Sequence, residues 1–308
     1  MLFRDRRPKS ASMVLTTRCN VGCGMCKIWR SPKTEIELKD ALRIVLDLES
    51  FGVDTIHLLG GEPLLYDCLF DLAAFIKSRN IRCTLITNGL LITRDNIKDI
   101  GKFFDYLSVS IDGSSQEVYA RTRNGASFDK ALGGLMLAKE FHIPCDIRYT
   151  IQRENLDDVN NAVNLAERLG IKILVGFVET RGIGNTENEN YKKVDAQTLV
   201  RRISKIDSPF LLTRKRTFEI IAKRLSSRPV RFKCSSPYNY IFIFVTQDVY
   251  PCSVIDETMG NLKKNKISEI YSSEKFRQIR NSIRNGTNKI CKSCTHGCEI
   301  NASITGWR

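Results

Sequence analysis

The chain has 308 residues, of which 42% are hydrophobic and 27% charged, with 48 lysines and arginines against 34 acids for a net charge of +14. That composition excludes a wholly disordered or fibrous chain, and the length suits one large domain or a large and a small one. The longest apolar runs, Ile241 to Val245 and Ile171 to Val178, fall short of the roughly 18 residues of a membrane span, and Met1 to Arg7 lacks an apolar signal core, so a cytoplasmic protein is expected.

In chain order, β-branched or apolar runs predict strands at Met13 to Thr17, Thr55 to Leu59, Cys83 to Thr87, Tyr106 to Ile111, Cys145 to Ile151 and Ile171 to Val178. Helical periodicity follows the first five, at Leu38 to Phe51, Cys68 to Ser78, Arg94 to Phe103, Phe128 to Phe141 and Leu156 to Leu169. Alternation of this kind predicts an α/β fold whose parallel strands are joined by crossover helices. Polar and glycine-rich residues just after several strands favour a partial (β/α)6 TIM-like barrel with its site at the strand C-terminal ends. A doubly wound open sheet is the alternative.

Eleven cysteines are unusual for a reducing compartment, where such residues bind metals or react more often than they form disulfides. Cys68, Cys83 and Cys145 stand alone in apolar patterns and read as core. Cys19, Cys23 and Cys26 share the loop after the first strand at Cys-x3-Cys-x2-Cys spacing. Three thiolates can hold three irons of a four-iron four-sulfur cluster and leave the fourth iron open. Structural zinc normally takes four protein ligands, and His57, the nearest histidine, is well removed in sequence.

These cysteines, with Gly60-Gly61-Glu62-Pro63 after the second strand, Thr87-Asn88-Gly89 after the third and Ser110-Ile111-Asp112-Gly113 after the fourth, resemble the radical S-adenosylmethionine superfamily. The resemblance implies that S-adenosylmethionine chelates the open iron and is cleaved to a 5′-deoxyadenosyl radical that abstracts a substrate hydrogen. It also implies cofactor contacts from Gly60, Gly61, Glu62, Pro63, Asn88, Ser110 and Asp112, with Arg123 and Arg148 as candidates for the methionine carboxylate. Rim or surface ion pairs are the alternative for the two arginines. Met25 replaces the family's usual aromatic before the third cysteine, with Trp29 one turn away.

The second group, Cys234, Cys252, Cys291, Cys294 and Cys298, resembles the C-terminal auxiliary-cluster domains called SPASM and, when shortened, twitch. A hairpin around Tyr240 to Tyr250 is its expected scaffold, with Gln247 where the family has glycine. Five cysteines make one complete cluster with one left over. The resemblance assigns Cys234, Cys252, Cys291 and Cys294 as ligands, with Cys298 as the spare or an alternative ligand. A zinc knuckle using His296 is the competing reading. The expected organisation is a barrel over 1–190, a basic helical connector over 191–233 and a small α+β auxiliary-cluster domain over 234–308.

The resemblance therefore implies a radical S-adenosylmethionine oxidoreductase with two four-iron clusters. The auxiliary cluster, fully ligated, is suited to accepting an electron from the substrate radical, so a two-electron dehydrogenation or crosslink is expected. An external flavodoxin- or ferredoxin-type donor would reduce it. Glu179 is the candidate base, with a salt bridge to Arg181 as its alternative role. The connector holds thirteen cations against three acids, and apolar residues Leu199, Ile203, Ile206, Phe218, Ile221 and Leu225 recur at helical spacing. A solvated face, an anionic small or medium substrate, or peripheral docking on anionic lipid are its readings; sparse aromatics disfavour nucleic acid. Alternatives for the whole chain are a peptide-modifying maturase, an enzyme of anionic lipids or isoprenoids, and an iron-sulfur electron carrier. About a dozen residues precede the first strand, so no fused recognition domain is expected there.

Overall fold

The computed structural model describes residues 7–179, 181–183, 196–203 and 206–305. Six β/α units run in order: β1 (Ser10–Val14), α1 (Leu38–Phe51), β2 (Thr55–Leu59), α2 (Leu69–Ser78), β3 (Arg82–Thr87), α3 (Ile97–Phe103), β4 (Tyr106–Ser110), α4 (Gln116–Thr122), α5 (Phe128–Glu140), β5 (Cys145–Ile151), α6 (Val159–Leu169) and β6 (Lys172–Phe177). Then follow α7 (Ala196–Ile203), α8 (Lys215–Leu225), α9 (Ser236–Asn239), β7 (Tyr240–Ile243), β8 (Asp248–Tyr250), β9 (Gly260–Asn261), α10 (Ile267–Ser272), α11 (Glu274–Arg284), α12 (Lys289–Ser293) and α13 (Gly297–Thr305).

The sheet order is β6-β5-β4-β3-β2-β1-β7-β8-β9. β1 to β6 pair in parallel, as expected of a partial barrel, and β7 adds in parallel to the outer edge of β1 before β8 and β9 turn back antiparallel. The expected hairpin is therefore continuous with the barrel sheet. Lys9 N donates to Asn239 O at 3.1 Å, pinning the start of the sheet to the turn before β7.

The two faces of this sheet differ in chemistry. Residues pointing toward the helices are apolar, as in Ala11 and Met13, Ile56 and Leu58, Leu107 and Val109, Ile147 and Tyr149, and Ile173 and Val175, all essentially buried. Helix α1 answers with Ala41, Ile44, Val45, Leu48 and Phe51 along one stripe. Each such large side chain contributes roughly 1.5–3 kcal/mol on burial. The opposite face carries Ser10 and Ser12, His57, Thr84, Ser108 and Ser110, Asp146, Arg148 and Thr150, and Tyr240, in register across neighbouring strands. His57, Ser110, Arg148 and Thr150 there remain partly exposed. Enzyme barrels of this class usually fill the interior with branched apolar side chains. Here six strands leave it open, and the polar side chains share it with Val14, Leu59, Ile86, Leu174 and Phe242.

That polarity explains the one strand that the sequence misplaces. β1 begins at Ser10, three residues before the expected Met13, because Ser10 and Ser12 point inward and break the apolar run. Helix α4, which starts with Ser115 Oγ accepting from Val118 N, was also not expected. In the connector, Leu199, Ile203, Ile206, Phe218 and Ile221 are buried. The apolar faces of α7 and α8 are thus part of the core and unavailable to a bilayer. Among the described residues no helix is long and apolar enough to cross a membrane. Of the connector's charges, Lys192, Lys193, Asp195 and Lys205 lie outside the described residues.

Candidate active site

The loop after β1 carries Cys19, Cys23 and Cys26 and is fastened to the ends of β2 and β3. Gly61 N donates to Thr16 O at 2.7 Å and Glu62 N to Arg18 O at 2.8 Å. The glycines permit this approach: a Cβ on Gly61 would stand 2.1 Å from Arg18 O, and one on Gly60 2.7 Å from Thr16 O. Glu62, fully buried, accepts from Thr87 Oγ1 at 2.7 Å, Asn88 N at 2.8 Å and Leu64 N at 3.1 Å. Burial pushes its carboxyl up, against those three donors. Asn88 Nδ2 in turn donates to Asn20 Oδ1 at 2.7 Å, inside the cysteine loop. Pro63 opens the short turn behind Glu62.

A second support comes from β4. Asp112 is fully buried and pairs with Arg123, whose Nε lies 2.7 Å and Nη2 2.6 Å from Asp112 Oδ2. Its other oxygen accepts from Thr150 N at 2.6 Å. Burial alone would lower the Arg123 guanidinium, but Asp112 and the Cys23 sulfur hold it above its ordinary value. Arg123 Nη1 lies 3.7 Å from Cys23 Sγ, so a buried cation faces one of the three thiols. Trp29 Nε1 donates to Cys23 O at 3.0 Å, which commits that indole edge to the loop itself. Ser110 ends β4, half exposed on the inner face.

Burial pushes the Cys19 thiol up to about 11, with Cys23, Glu62 and Cys26 adding to the effect. It raises Cys26 in the same way. Three thiols on one short loop, with burial opposing the ionisation of Cys19 and Cys26, would be held as thiolates by the cationic centre that an iron-sulfur cluster provides. The donor set fits that group.

The C-terminal thiols come from separate elements: Cys234 before α9, Cys252 after β8, Cys291 in α12 and Cys294 at its end. Burial raises Cys234 to about 11 and Cys291 to about 12, and the charge of Cys234 acts on Cys252, Cys291 and Cys294 alike. The other three thus lie within electrostatic reach of Cys234, and as a four-thiol donor set they suit a second cluster together with it. Arg224 Nη1 donates to Cys294 O at 2.6 Å, a role hidden in the sequence among the connector's many cations.

Glu179 is buried in an ion pair, Oε1 lying 2.9 Å from Arg181 Nε, and its Oε2 accepts from Thr295 N at 2.7 Å. Burial would raise it, yet Arg181 and the Thr295 N–H hold it below the usual carboxylate range. It ties the end of β6 to the segment after Cys294, which is the salt-bridge role weighed in the sequence. His296 is half-buried, and desolvation pushes it down to about 4.

Cys298 and Arg148 lie elsewhere. Helix α13 touches β6 so closely that a Cβ on Gly297 would meet Gly176 Cα at 2.9 Å, and Cys298 Sγ stands 3.8 Å from the Cβ position of Gly176. Arg148 Nη1 reaches Cys298 Sγ at 3.7 Å, while its Nε donates to Ser108 Oγ at 2.8 Å. The last helix thus delivers Cys298, and Glu299 behind it, to the polar barrel interior. Glu299, a lone acid after the last cysteine, carries no local pattern that would mark it.

Residues 13–166 match the family model of the Radical SAM superfamily, and the chain belongs to that superfamily. Residues 234–295 match the SPASM iron-sulfur cluster-binding domain, so this is a SPASM-type member with S-adenosylmethionine and two four-iron clusters as its cofactors. The chain is 25% identical to the AdoMet-dependent heme synthase of Methanosarcina barkeri, over 98% of its own length and 94% of that protein's. It is 31% identical to the Fe-coproporphyrin III synthase of the same organism, over 50% of its length and 39% of that protein's. Streptococcus suis SuiB bound to S-adenosylmethionine superposes with a TM-score of 0.73 at 18% identity, covering 96% of this chain and 74% of SuiB.

Proposed function

We propose that the protein takes a carboxylate-bearing tetrapyrrole into the barrel interior, removes a hydrogen atom from it and completes a two-electron oxidation. The observation that carries the reading is the polar, partly exposed inner face lying between the three-thiol loop and the four-thiol group. Two relatives named for tetrapyrrole products, one matched over nearly the whole chain, supply the substrate class. The likeness to SuiB is one of fold alone and lends a peptide substrate no separate support.

When bound, the reduced cluster and S-adenosylmethionine supply the 5′-deoxyadenosyl radical that takes the hydrogen. The chain's own residues position and shield. Gly60 and Gly61 let the cysteine loop sit against the end of β2, and Glu62 locks β2 to β3. Asn88 and Ser110 face the cofactor from the ends of β3 and β4, and the Asp112–Arg123 pair holds Cys23 from behind. Cys234, Cys252, Cys291 and Cys294 hold the acceptor of the second electron. An external flavodoxin- or ferredoxin-type protein delivers the first. Glu179, already paired, contributes structure and no proton transfer. With the apolar sides of α7 and α8 buried, any contact with anionic lipid would rest on exposed cations such as Arg201 and Arg216.

The test is anaerobic turnover of the reduced holoenzyme with S-adenosylmethionine and iron-coproporphyrin. One 5′-deoxyadenosine per oxidised tetrapyrrole supports the reading. Regenerated S-adenosylmethionine, or product formed without a redox change, overturns the oxidation; 5′-deoxyadenosine formed with the porphyrin unchanged overturns the substrate class.

A further inference from the structure

Two buried or half-buried arginines face the barrel, and only one touches a carboxylate directly. Arg123 is paired with Asp112. Arg148, by contrast, makes no ion pair among the described residues: it donates Nε to Ser108 Oγ and directs Nη1 at Cys298 Sγ, 3.7 Å away, which leaves Nη2 without a partner. Asp146 is held on the far side of Ser108, whose hydroxyl donates to it. The carboxylate nearest Arg148 is thus reached through Ser108 and not by direct contact, so the partly exposed fork keeps donors for an incoming anion.

Beside it lies a second unsatisfied group. Glu299 is only 6% exposed, and its Oε2 is buried with no hydrogen-bond partner among the described residues. The buried Ser236 hydroxyl beside it supports this carboxylate, favouring its charged form. Arg148 contacts Cys298 directly, and Glu299 follows Cys298 on α13, where its charge acts on Cys234 and Cys252 as well as on Cys298. This placement exists because the Gly176–Gly297 contact lets α13 enter the open side of the barrel.

We infer that Arg148, Cys298 and Glu299 form a substrate subsite inside the barrel, where Arg148 grips a carboxylate and Glu299 accepts from an N–H or O–H of the same molecule. Arginine suits this task because its planar fork matches a carboxylate in two parallel bonds. The subsite deepens the proposed function by giving a carboxylate arm its anchor, yet its test uses no tetrapyrrole, so either can fail alone.

The test uses Cys298 as a reporter. The holoenzyme, with S-adenosylmethionine present and oxygen excluded, is treated in parallel with iodoacetate and iodoacetamide, and each cysteine is followed by peptide mass spectrometry. Cys68, half-buried outside the barrel interior, is the internal reference. An anion-binding Arg148 should raise the iodoacetate-to-iodoacetamide ratio at Cys298 to about tenfold that at Cys68. Arg148→Gln should return it to the reference, and Glu299→Gln, which removes the neighbouring carboxylate, should leave it raised or raise it further. Equal ratios at the two cysteines of the unaltered protein overturn the subsite whether or not the variants fold. Protection of Cys298 from both reagents also overturns it, by placing that thiol on a cluster. A ratio that is high only when S-adenosylmethionine is withheld assigns the anchor to the cofactor's carboxylate instead.

Discussion

The two thiol groups reach similar chemistry by opposite routes. The N-terminal trio sits within eight residues of chain, on a loop held by backbone bonds from Gly61 and Glu62 and backed by a buried ion pair. The C-terminal set is drawn from three places between Cys234 and Cys294, the last two thiols sharing α12 and its end, and meets only after β7, β8, α12 and the connector have packed. A site made by one loop depends on close backbone approach, whereas a site made by several separate elements depends on the packing that joins them. Damage should therefore stay local in the first and spread in the second.

The largest effect should come from breaking the ion pair behind the trio. Arg123→Gln strands the buried Asp112 charge and should cost about 3–5 kcal/mol, read as a lower urea midpoint. Next is Gly61→Ala, whose Cβ has no room against Arg18 O. It should cost about 3 kcal/mol and drop iron from about eight to about four per chain, since only the first cluster would be lost. Loss of all iron would break the comparison by showing that the two groups are coupled.

Glu179→Gln tests the packed site and should cost about 1.5–3 kcal/mol. Its folded value is depressed, so its stabilisation is complete above the unfolded value of about 4.3 and disappears as pH falls through the folded one. The gap between wild type and Glu179→Gln in urea midpoint should accordingly close on acidification from pH 6 toward about 3. A gap independent of pH would remove the charge from the explanation. Smallest of all, Cys68→Ala should leave iron content unchanged and alter stability by under about 1 kcal/mol, because that thiol belongs to neither group.

The same contrast decides what could be read from the chain. Helix α1 and strands β2 and β5 fall where periodicity put them, and the trio with its four motifs is contiguous text. β1 was displaced because inward-facing Ser10 and Ser12 look like loop. Gln247 replaces an expected glycine, yet takes a φ of +71 at the turn before β8. That conformation costs roughly 1–2 kcal/mol for a residue with a side chain. Here its amide donates to Asp40 at 2.7 Å and accepts from Arg43 at 2.6 Å, partners some two hundred residues earlier. Glu299 and the unpaired Arg148 were illegible for the same reason: what defines them is what α13 and β5 bring together, and no local pattern records it.

The insertion of β7 beside β1 also has a consequence in time. Ser10 and Asn239, joined by a hydrogen bond, lie 229 residues apart. At synthesis rates of about 5–20 residues per second, the first strand waits roughly 10 to 50 s before its outer neighbour exists. Throughout that interval β1 is an uncovered sheet edge with the cysteine loop at its end. The nascent chain therefore holds its reactive site open to the machinery that furnishes iron and sulfide, and also to stray strands, until the late-made β7 and finally α13 shut it from both sides.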